Sequence, residues 1–272
     1  MARSGQPRCD VRVHRADARP IQEPAQPWAR AFVDMAQLSA IVYRKLPDNL
    51  PAPAGWTPSP DPRDVVDDAR TSLYFEVWER IGPDAVDVAV VFRGTHEWKD
   101  WWSNARWITR FVPIGWDQYD LARREIGGVV GRARARHPAA RVMTAGHSLG
   151  GGLAQQAAYA SPDVKLVVAF DSSPVTGFRA VPPRARAVNR RGITINRVFE
   201  HGEILAYLRT LIRRFLPLSR ADPSITEVRF NLRHGDPIQQ HSMVDLAKRM
   251  AWAARECPDP AAAARRGRVT DG

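Results

Sequence analysis

The stretch VMTAGHSLGGGLAQQAA, residues 142–158, decides how this chain can fold. It surrounds one serine, Ser148, with four glycines: Gly146, Gly150, Gly151 and Gly152. Glycine destabilises the interior of a helix or strand by roughly 0.5–1 kcal/mol relative to alanine, so such a cluster indicates a geometric requirement between two elements. An apolar run of strand type (141–145) precedes the cluster, and an alanine-rich run of helical type (149–160) follows it. The pattern predicts a sharp strand-to-helix turn at Ser148.

The five residues 146–150, Gly-His-Ser-Leu-Gly, match the pattern G-x-S-x-G of a nucleophile elbow. In such an elbow the serine occupies a strained turn, and the glycines keep neighbouring side chains away from it. The helix that follows directs its N–H groups and the positive end of its dipole at the reacting centre. The alternative is an ordinary N-cap serine at the start of a helix. Glycines lie two residues before and two residues after Ser148, as the elbow requires, and this favours the elbow over the N-cap.

Strands and helices alternate along the rest of the chain. Strands are predicted at 72–80, 86–92, 164–170, 193–199 and 226–232, and helices at 28–46, 115–137 and 242–254. The strand 72–80 alternates polar and apolar residues and is expected to be half-buried. This order of elements is typical of an α/β fold with a mainly parallel central sheet and helices on both faces.

The net charge of +11 is almost entirely due to arginine, since the chain has few lysines. This charge favours anionic partners, and a membrane surface is one of them. The arginines are scattered, and no zinc-finger or RNA-recognition motif is present, so no nucleic-acid partner is expected. The two cysteines, Cys9 and Cys257, do not by themselves establish a disulfide, and no metal site or cofactor is predicted.

The N-terminal segment is charged and has no apolar signal-peptide core, and no apolar run reaches the about 20 residues of a membrane span. The sequence therefore predicts a soluble protein that is cytoplasmic as synthesised, and export that does not depend on such a signal stays open.

Two motifs together give a specific resemblance. The segment VFRGTHEWKDWWSNARW (91–107) and the elbow resemble those of class 3 (fungal-type, triacylglycerol) lipases of the α/β-hydrolase superfamily. The segments AFDSSPVTG (169–177), RVFEHGEILAYL (197–208) and QQHSMVDL (239–246) resemble the family's later segments, so the similarity runs from about residue 28 to 255. The resemblance implies an α/β-hydrolase domain over 27–256 with a lid-like segment at 96–110. An irregular N-terminal arm (1–26) and a loose C-terminal tail (257–272) flank this domain.

A serine nucleophile needs a histidine base and a carboxylate that orients the histidine, and in this fold they follow in the order serine, acid, histidine. The base is assigned to His241, just before the last predicted helix, with His234 as the alternative. By the resemblance, Glu203 occupies the acid position, where aspartate is usual in the family. Glu200 and Asp171 also follow strands on the same side of the sheet and are the alternative acids.

The oxyanion donors are expected to be the backbone N–H of Leu149, by elbow geometry, and Thr95, by the resemblance. A stripe of tryptophans follows Thr95. Such a stripe is more often core packing, but in the family this segment is a lid that opens onto lipid. The lid or substrate-facing residues are then Trp98, Trp101, Trp102 and Trp107.

The sequence therefore predicts a metal-free serine hydrolase that cleaves carboxylic esters of lipids through an acyl-enzyme intermediate. One alternative is a phospholipase that acts on anionic membranes, including as a secreted effector. An alternative of another class is a catalytically silent scaffold that binds lipid or protein.

Overall fold

The structure is a computed structural model that describes residues 8–16, 18–43, 50–94, 107–173, 175–200, 222–232 and 242–258, with 107–117 described by their backbone alone. Within these ranges the strands form one ten-stranded sheet with helices on both faces. The strands are β1 (Asp10–Arg15), β2 (Ile21–Pro24), β3 (Trp56–Pro58), β4 (Val65–Asp68), β5 (Leu73–Ile81), β6 (Val86–Phe92), β7 (Arg141–His147), β8 (Val164–Phe170), β9 (Thr194–Glu200) and β10 (Ser224–Phe230). The helices are α1 (Ala25–Ile41), α2 (Trp107–Arg136), α3 (Leu149–Ala160), α4 (Pro183–Asn189) and α5 (Met243–Glu256).

The sheet has the strand order β2-β1-β10-β9-β8-β7-β6-β5-β3, and β4 pairs with β5 outside this path. The central strands β6 to β10 are parallel to one another. The outer strands β1 and β5 pair antiparallel with the central block on either side. The prediction of an α/β fold of the hydrolase type is confirmed, with antiparallel strands added at both margins. Because the central strands run in one direction, their carboxyl ends meet on one side, where sites in such sheets form.

Both faces of the central strands are buried. In β6, Ala89 and Val91 contact the core that includes α1 and α5, whereas Val88, Val90 and Phe92 contact the core that includes α2 and α3. Successive side chains of a strand point to opposite faces, so a strand that is covered on both sides needs a continuous apolar run. The sequence VDVAVVF of β6 supplies that run.

Part of the predicted irregular arm over 1–26 forms strands, since β1 and β2 lie within its described residues. β1 pairs antiparallel with β10, with Val13 opposite Val228, and Val11 and Val13 are both buried. The alternation of valine with charged residues in DVRVHR places one face of this strand in the core.

A disulfide joins Cys9, just before β1, to Cys257, just after α5. The first residue of the predicted loose tail over 257–272 is therefore attached to the sheet. The tail from residue 259 onward lies outside the described residues.

β5 is buried over most of its length, not half-buried as its alternation predicts. Glu76 and Glu79 are both buried, and Glu79 accepts hydrogen bonds from Arg136 at the end of α2. A carboxylate can lie in a core when a guanidinium is paired with it. The partner is distant in the chain, so local alternation does not reveal this arrangement.

Ion pairs also lie at the amino end of the parallel strands, on the side opposite Ser148. Asp87, near the start of β6, accepts hydrogen bonds from Arg141 at 2.7 Å and from Arg80 at 2.8 Å. Burial raises the pKa of the Asp87 carboxyl, but the bonds and charges of these arginines outweigh burial and hold the pKa below its usual value. Among the helices of the described ranges, none is both long and apolar enough to cross a membrane.

Candidate active site

Ser148 lies at the turn between β7 and α3, at the carboxyl end of the parallel strands. Its backbone has φ 58° and ψ −122°, in the left-handed half of the conformational map that residues with a side chain rarely adopt. Its N–H donates to the carbonyl oxygen of Phe170 at 2.9 Å, and its own carbonyl accepts from the N–H of Ser173 at 3.0 Å. The Ser148 side chain does not cap α3, so the turn is not an ordinary serine N-cap. This strained conformation is that of a nucleophile elbow.

The glycines at 146 and 150 are required by the close approach of backbone segments around the turn. A Cβ on Gly146 would lie 2.5 Å from the carbonyl carbon of Gly150 and 2.9 Å from the carbonyl oxygen of Phe92. A Cβ on Gly150 would lie 2.9 Å from the carbonyl carbons of Phe92 and Arg93. All these neighbours are backbone atoms, which cannot rotate away as a flexible side chain can. The elbow and the end of β6 therefore pack at a separation that only glycine permits.

The end of β6 lies directly beside Ser148. A Cβ on Gly94 would lie 3.2 Å from the Cβ of Ser148 and 2.6 Å from the carbonyl oxygen of His147. On the other side, Leu149 begins α3, and its N–H makes no hydrogen bond within the described part of the chain. A backbone N–H in this position is suited to bind the oxyanion of a tetrahedral intermediate. Thr95, the second predicted donor, follows Gly94 and lies outside the described residues.

Tyr43, two residues after α1, links the elbow to the end of β6. Its hydroxyl accepts a hydrogen bond from the N–H of Gly94 at 3.2 Å and lies 2.8 Å from Nδ1 of His147, to which it can donate. Burial raises the pKa of Tyr43 well above its usual value, so this hydroxyl stays neutral. One buried hydroxyl thus connects the residue before Ser148 with the residue before Thr95. The sequence analysis did not predict Tyr43, because no local pattern marks it.

Asp171 and Glu200, the two alternative acids, are buried at the carboxyl ends of neighbouring strands. Asp171 follows β8 with a φ of 38°, which aspartate tolerates better than most residues. Its Oδ1 accepts a hydrogen bond from the N–H of Glu200, the last residue of β9, at 3.0 Å. Oε1 of Glu200 in turn accepts from the N–H of Leu232, just after β10, at 2.9 Å. The two carboxyl groups therefore connect the ends of three parallel strands.

The described residues that flank the segment 233–241 make hydrogen bonds to the rest of the fold. On one side, the carbonyl oxygen of Leu232 accepts a hydrogen bond from the guanidinium of Arg249, on α5, at 2.7 Å. On the other side, Ser242 is the N-cap of α5, and its Oγ accepts from the N–H of Asp245 at 3.3 Å. His241 directly precedes this cap.

The structure brings together four of the predicted site residues: Ser148, Leu149, Asp171 and Glu200. Trp107 begins α2, and its side chain is not described. The other predicted residues lie outside the described part of the chain: Thr95, Trp98, Trp101, Trp102, Glu203, His234 and His241. The assignments of the acid, the base and the lid therefore stay predictions. Among the described residues, no three His, Cys, Asp or Glu side chains are grouped as a metal site requires.

Solved lipase structures are similar to this chain at low sequence identity. Lipase II from Rhizopus niveus is 15% identical with a TM-score of 0.48, and the match covers 74% of this chain and 78% of that one. A lipase from Rhizopus microsporus var. chinensis is also 15% identical, with a TM-score of 0.49 and coverage of 85% and 84%.

Sequence comparisons find a phospholipase family and a phospholipase relative. The extracellular phospholipase A1 of Serratia liquefaciens is 34% identical over 104 residues, which cover 38% of this chain and 27% of that protein. The chain thus spans about a quarter of the length of that relative. Residues 34–210 match the model of the Tle-like phospholipase domain, which confirms the relation to lipid hydrolases indicated by the motifs. The chain belongs to the Tle-like phospholipase domain family.

Proposed function

We propose that this protein is a phospholipase, a serine hydrolase that cleaves a carboxylic ester of a phospholipid through an acyl-enzyme on Ser148. The observation that carries the proposal is the backbone of Ser148, with φ 58° and ψ −122°, at a strand-to-helix turn in a chain of a phospholipase family. A protein that only binds lipid has no need of a strained serine at this position.

In the proposed reaction, His241 removes the proton of the Ser148 hydroxyl as the oxygen attacks the ester carbonyl. Glu203 orients the imidazole and stabilises its protonated form. The oxyanion accepts hydrogen bonds from the N–H of Leu149 and from Thr95. The tetrahedral intermediate collapses as His241 returns the proton to the leaving alcohol, a lysophospholipid. Water, deprotonated by the same histidine, then hydrolyses the acyl-enzyme to a free fatty acid and restores Ser148.

Two observations support a phospholipid over a neutral oil as substrate. The family is one of phospholipases, and the similar Serratia protein is a phospholipase A1, which makes the acyl ester at the first glycerol carbon the preferred position. The chain also carries a net charge of +11, and a basic residue close to an anionic membrane surface contributes about 1 kcal/mol to binding.

The test uses vesicles of a phosphatidylglycerol that carries a palmitoyl chain at the first position and an oleoyl chain at the second. Released fatty acids are measured by mass spectrometry for the wild type and for Ser148→Ala, with emulsified trioleoylglycerol run in parallel. The proposal predicts palmitate release by the wild type, no release by Ser148→Ala and much slower cleavage of the triacylglycerol.

Three results would contradict parts of the proposal. Preferential release of oleate would contradict the position of the cleaved ester, and faster cleavage of the triacylglycerol would contradict the substrate class. Equal release by the wild type and Ser148→Ala would contradict the acyl-enzyme on Ser148.

A further inference from the structure

We propose that residues 175–191, which lie between β8 and β9 and include α4, form a docking surface for an anionic lipid membrane. This inference rests on the proposed function, because it names the surface that brings the enzyme to a phospholipid substrate. It is carried by the exposure, the charge and the packing of this one segment.

Exposed apolar side chains are concentrated in the docking surface. The described residues expose six large hydrophobic side chains, and three of them lie in this segment: Val175, Phe178 and Val188, which are 55%, 42% and 62% exposed. A single exposed apolar residue is ordinary, but several of them beside charged groups mark a contact with a membrane or a protein.

The docking surface also carries positive charge without negative charge. Residues 172–199 contain no aspartate or glutamate. Five arginines lie within the docking surface: Arg179, Arg184, Arg186, Arg190 and Arg191. All of them except Arg186 are exposed, and among the described residues none of the five is paired with a carboxylate. By contrast, Arg132 and Arg136 are both paired with the buried Asp64. The docking surface therefore has a local excess of positive charge, which attracts anionic headgroups.

Charged and apolar groups are interleaved on this surface. Arg184 and Val188 are four residues apart in α4, so they lie on the same face of the helix, and both are exposed. The guanidinium of Arg186 lies 4.3 Å from the ring centroid of Phe178 and donates to the Phe178 carbonyl oxygen at 3.0 Å. At a membrane, apolar side chains enter the boundary of the acyl chains while guanidinium groups bind phosphate. A nucleic acid would match the arginines alone, so the exposed apolar groups favour a lipid surface.

The docking surface is attached to the helix that begins at the nucleophile. Just before it, the N–H of Ser173 donates to the carbonyl oxygen of Ser148. The ring of Phe178 packs edge-on against Tyr159 of α3 with centroids 4.9 Å apart, and the side-chain amide of Asn189 donates to the Tyr159 carbonyl oxygen at 2.9 Å. A helix rises 1.5 Å per residue, so Tyr159 lies about 16 Å from Ser148 along α3. A membrane bound at this surface is therefore held at a fixed, short distance from the nucleophile.

The experiment measures binding of the full chain to vesicles by flotation. All proteins carry Ser148→Ala, so that no lipid is hydrolysed, and vesicles of phosphatidylglycerol are compared with vesicles of phosphatidylcholine. A basic residue close to an anionic surface strengthens binding about fivefold, so Arg179→Ala with Arg184→Ala should weaken binding to phosphatidylglycerol about 25-fold. Val175→Asn with Val188→Asn keeps the charge and removes apolar surface, and it should weaken binding about tenfold. Phosphatidylcholine vesicles should bind more weakly than either variant binds phosphatidylglycerol.

Matched controls remove the same residue types elsewhere. Arg19→Ala with Arg255→Ala removes two exposed arginines, one between β1 and β2 and one in α5, which covers the face of the sheet opposite α3. Ile21→Asn with Ile81→Asn removes two exposed apolar side chains from β2 and β5. Both controls should bind phosphatidylglycerol vesicles as tightly as Ser148→Ala alone.

Two results would overturn the proposal. The first is equal binding by the docking-surface variants and the controls, or no binding to phosphatidylglycerol at all. The second is a loss of binding in the arginine variant alone, together with tight binding of a DNA duplex, which would make the surface a general site for polyanions.

Turnover separates this proposal from the proposed function. With Ser148 restored, both docking-surface variants should keep the wild-type kcat on a short soluble ester, because they leave the elbow unchanged. If the wild type cleaves no ester, the proposed function fails, and vesicle binding by Ser148→Ala still decides whether the docking surface exists. If esters are cleaved but the docking-surface variants bind vesicles like the controls, only the docking surface is refuted.

Discussion

Replacing Gly150 by alanine tests whether the elbow depends on the close approach of β6. Gly150 lies in the first turn of α3, and its φ is not positive. Glycine is therefore required at this position because there is no room for a Cβ, and not because of the backbone conformation. In an open helical position the same change would stabilise the protein by roughly 0.5–1 kcal/mol, because alanine is the better helix former.

The contact distances decide whether the gain from alanine as a helix former or the cost of the steric clash is larger. The new Cβ would lie 2.9 Å from the carbonyl carbons of Phe92 and Arg93, and closer still to the carbonyl oxygen of Phe92. Overpacking of a tight site costs about 1–3 kcal/mol, so the net effect is a loss of stability. For a domain of this size that loss corresponds to a fall in Tm of about 2–10 °C. Separation of the end of β6 from Ser148 should also lower kcat by about 10²-fold.

The matched control is Gly131→Ala in α2, where a Cβ meets nothing within 4 Å. Both variants are compared with the wild type by thermal unfolding and by kcat on a short soluble ester, well below the lowest Tm. Gly131→Ala should be slightly more stable and fully active. If Gly150→Ala keeps the Tm and kcat of the wild type, the argument from close approach is refuted.

Further predictions concern a hydroxyl, a disulfide and an ion pair. Tyr43→Phe removes the hydroxyl shared by the elbow and the end of β6 and should lower kcat about tenfold. Tyr119→Phe, which removes an equally buried hydroxyl bonded elsewhere, should leave kcat unchanged. Cys9→Ser opens the disulfide to Cys257 and should lower the free energy of unfolding by up to about 5 kcal/mol, as chemical denaturation will show, because the closed loop is long. The lowered pKa of Asp87 gives a stability contribution that is present above the pKa of the unfolded state and lost as the pH falls through the folded-state pKa. The stability difference between wild type and Asp87→Asn should therefore shrink from pH 7 toward pH 3. A constant difference would contradict the bonds to Arg141 and Arg80 as the cause of the lowered pKa.

The elbow and the parallel centre of the sheet were predictable because both depend on local patterns. The glycines around Ser148 lie within one short stretch of the chain, and the apolar run of β6 lies within another. The family motifs extended the prediction to the acid and histidine segments, of which residues 201–208 and 239–241 lie outside the described residues.

Contacts between distant residues were not predictable. β1 has only two buried valines, and its strand character depends on β10, more than 200 residues away. From its local sequence Glu79 is predicted to face solvent, and only its contact with the distant Arg136 explains why it is buried. Asp171 and Glu200 illustrate the same limit within the site, because the backbone N–H groups that they accept from lie at the ends of other strands and no local motif reveals these bonds.

The most direct test of the central claim is covalent labelling of the nucleophile. A fluorophosphonate ester is incubated with the wild type, with Ser148→Ala and with Ser161→Ala, which removes a buried serine at the far end of α3. Adducts are then located by peptide mass spectrometry. We expect a single adduct on Ser148 in the wild type and in Ser161→Ala, and none in Ser148→Ala. An adduct on another residue, or ester turnover that persists in Ser148→Ala, would contradict the assignment of Ser148 as the nucleophile.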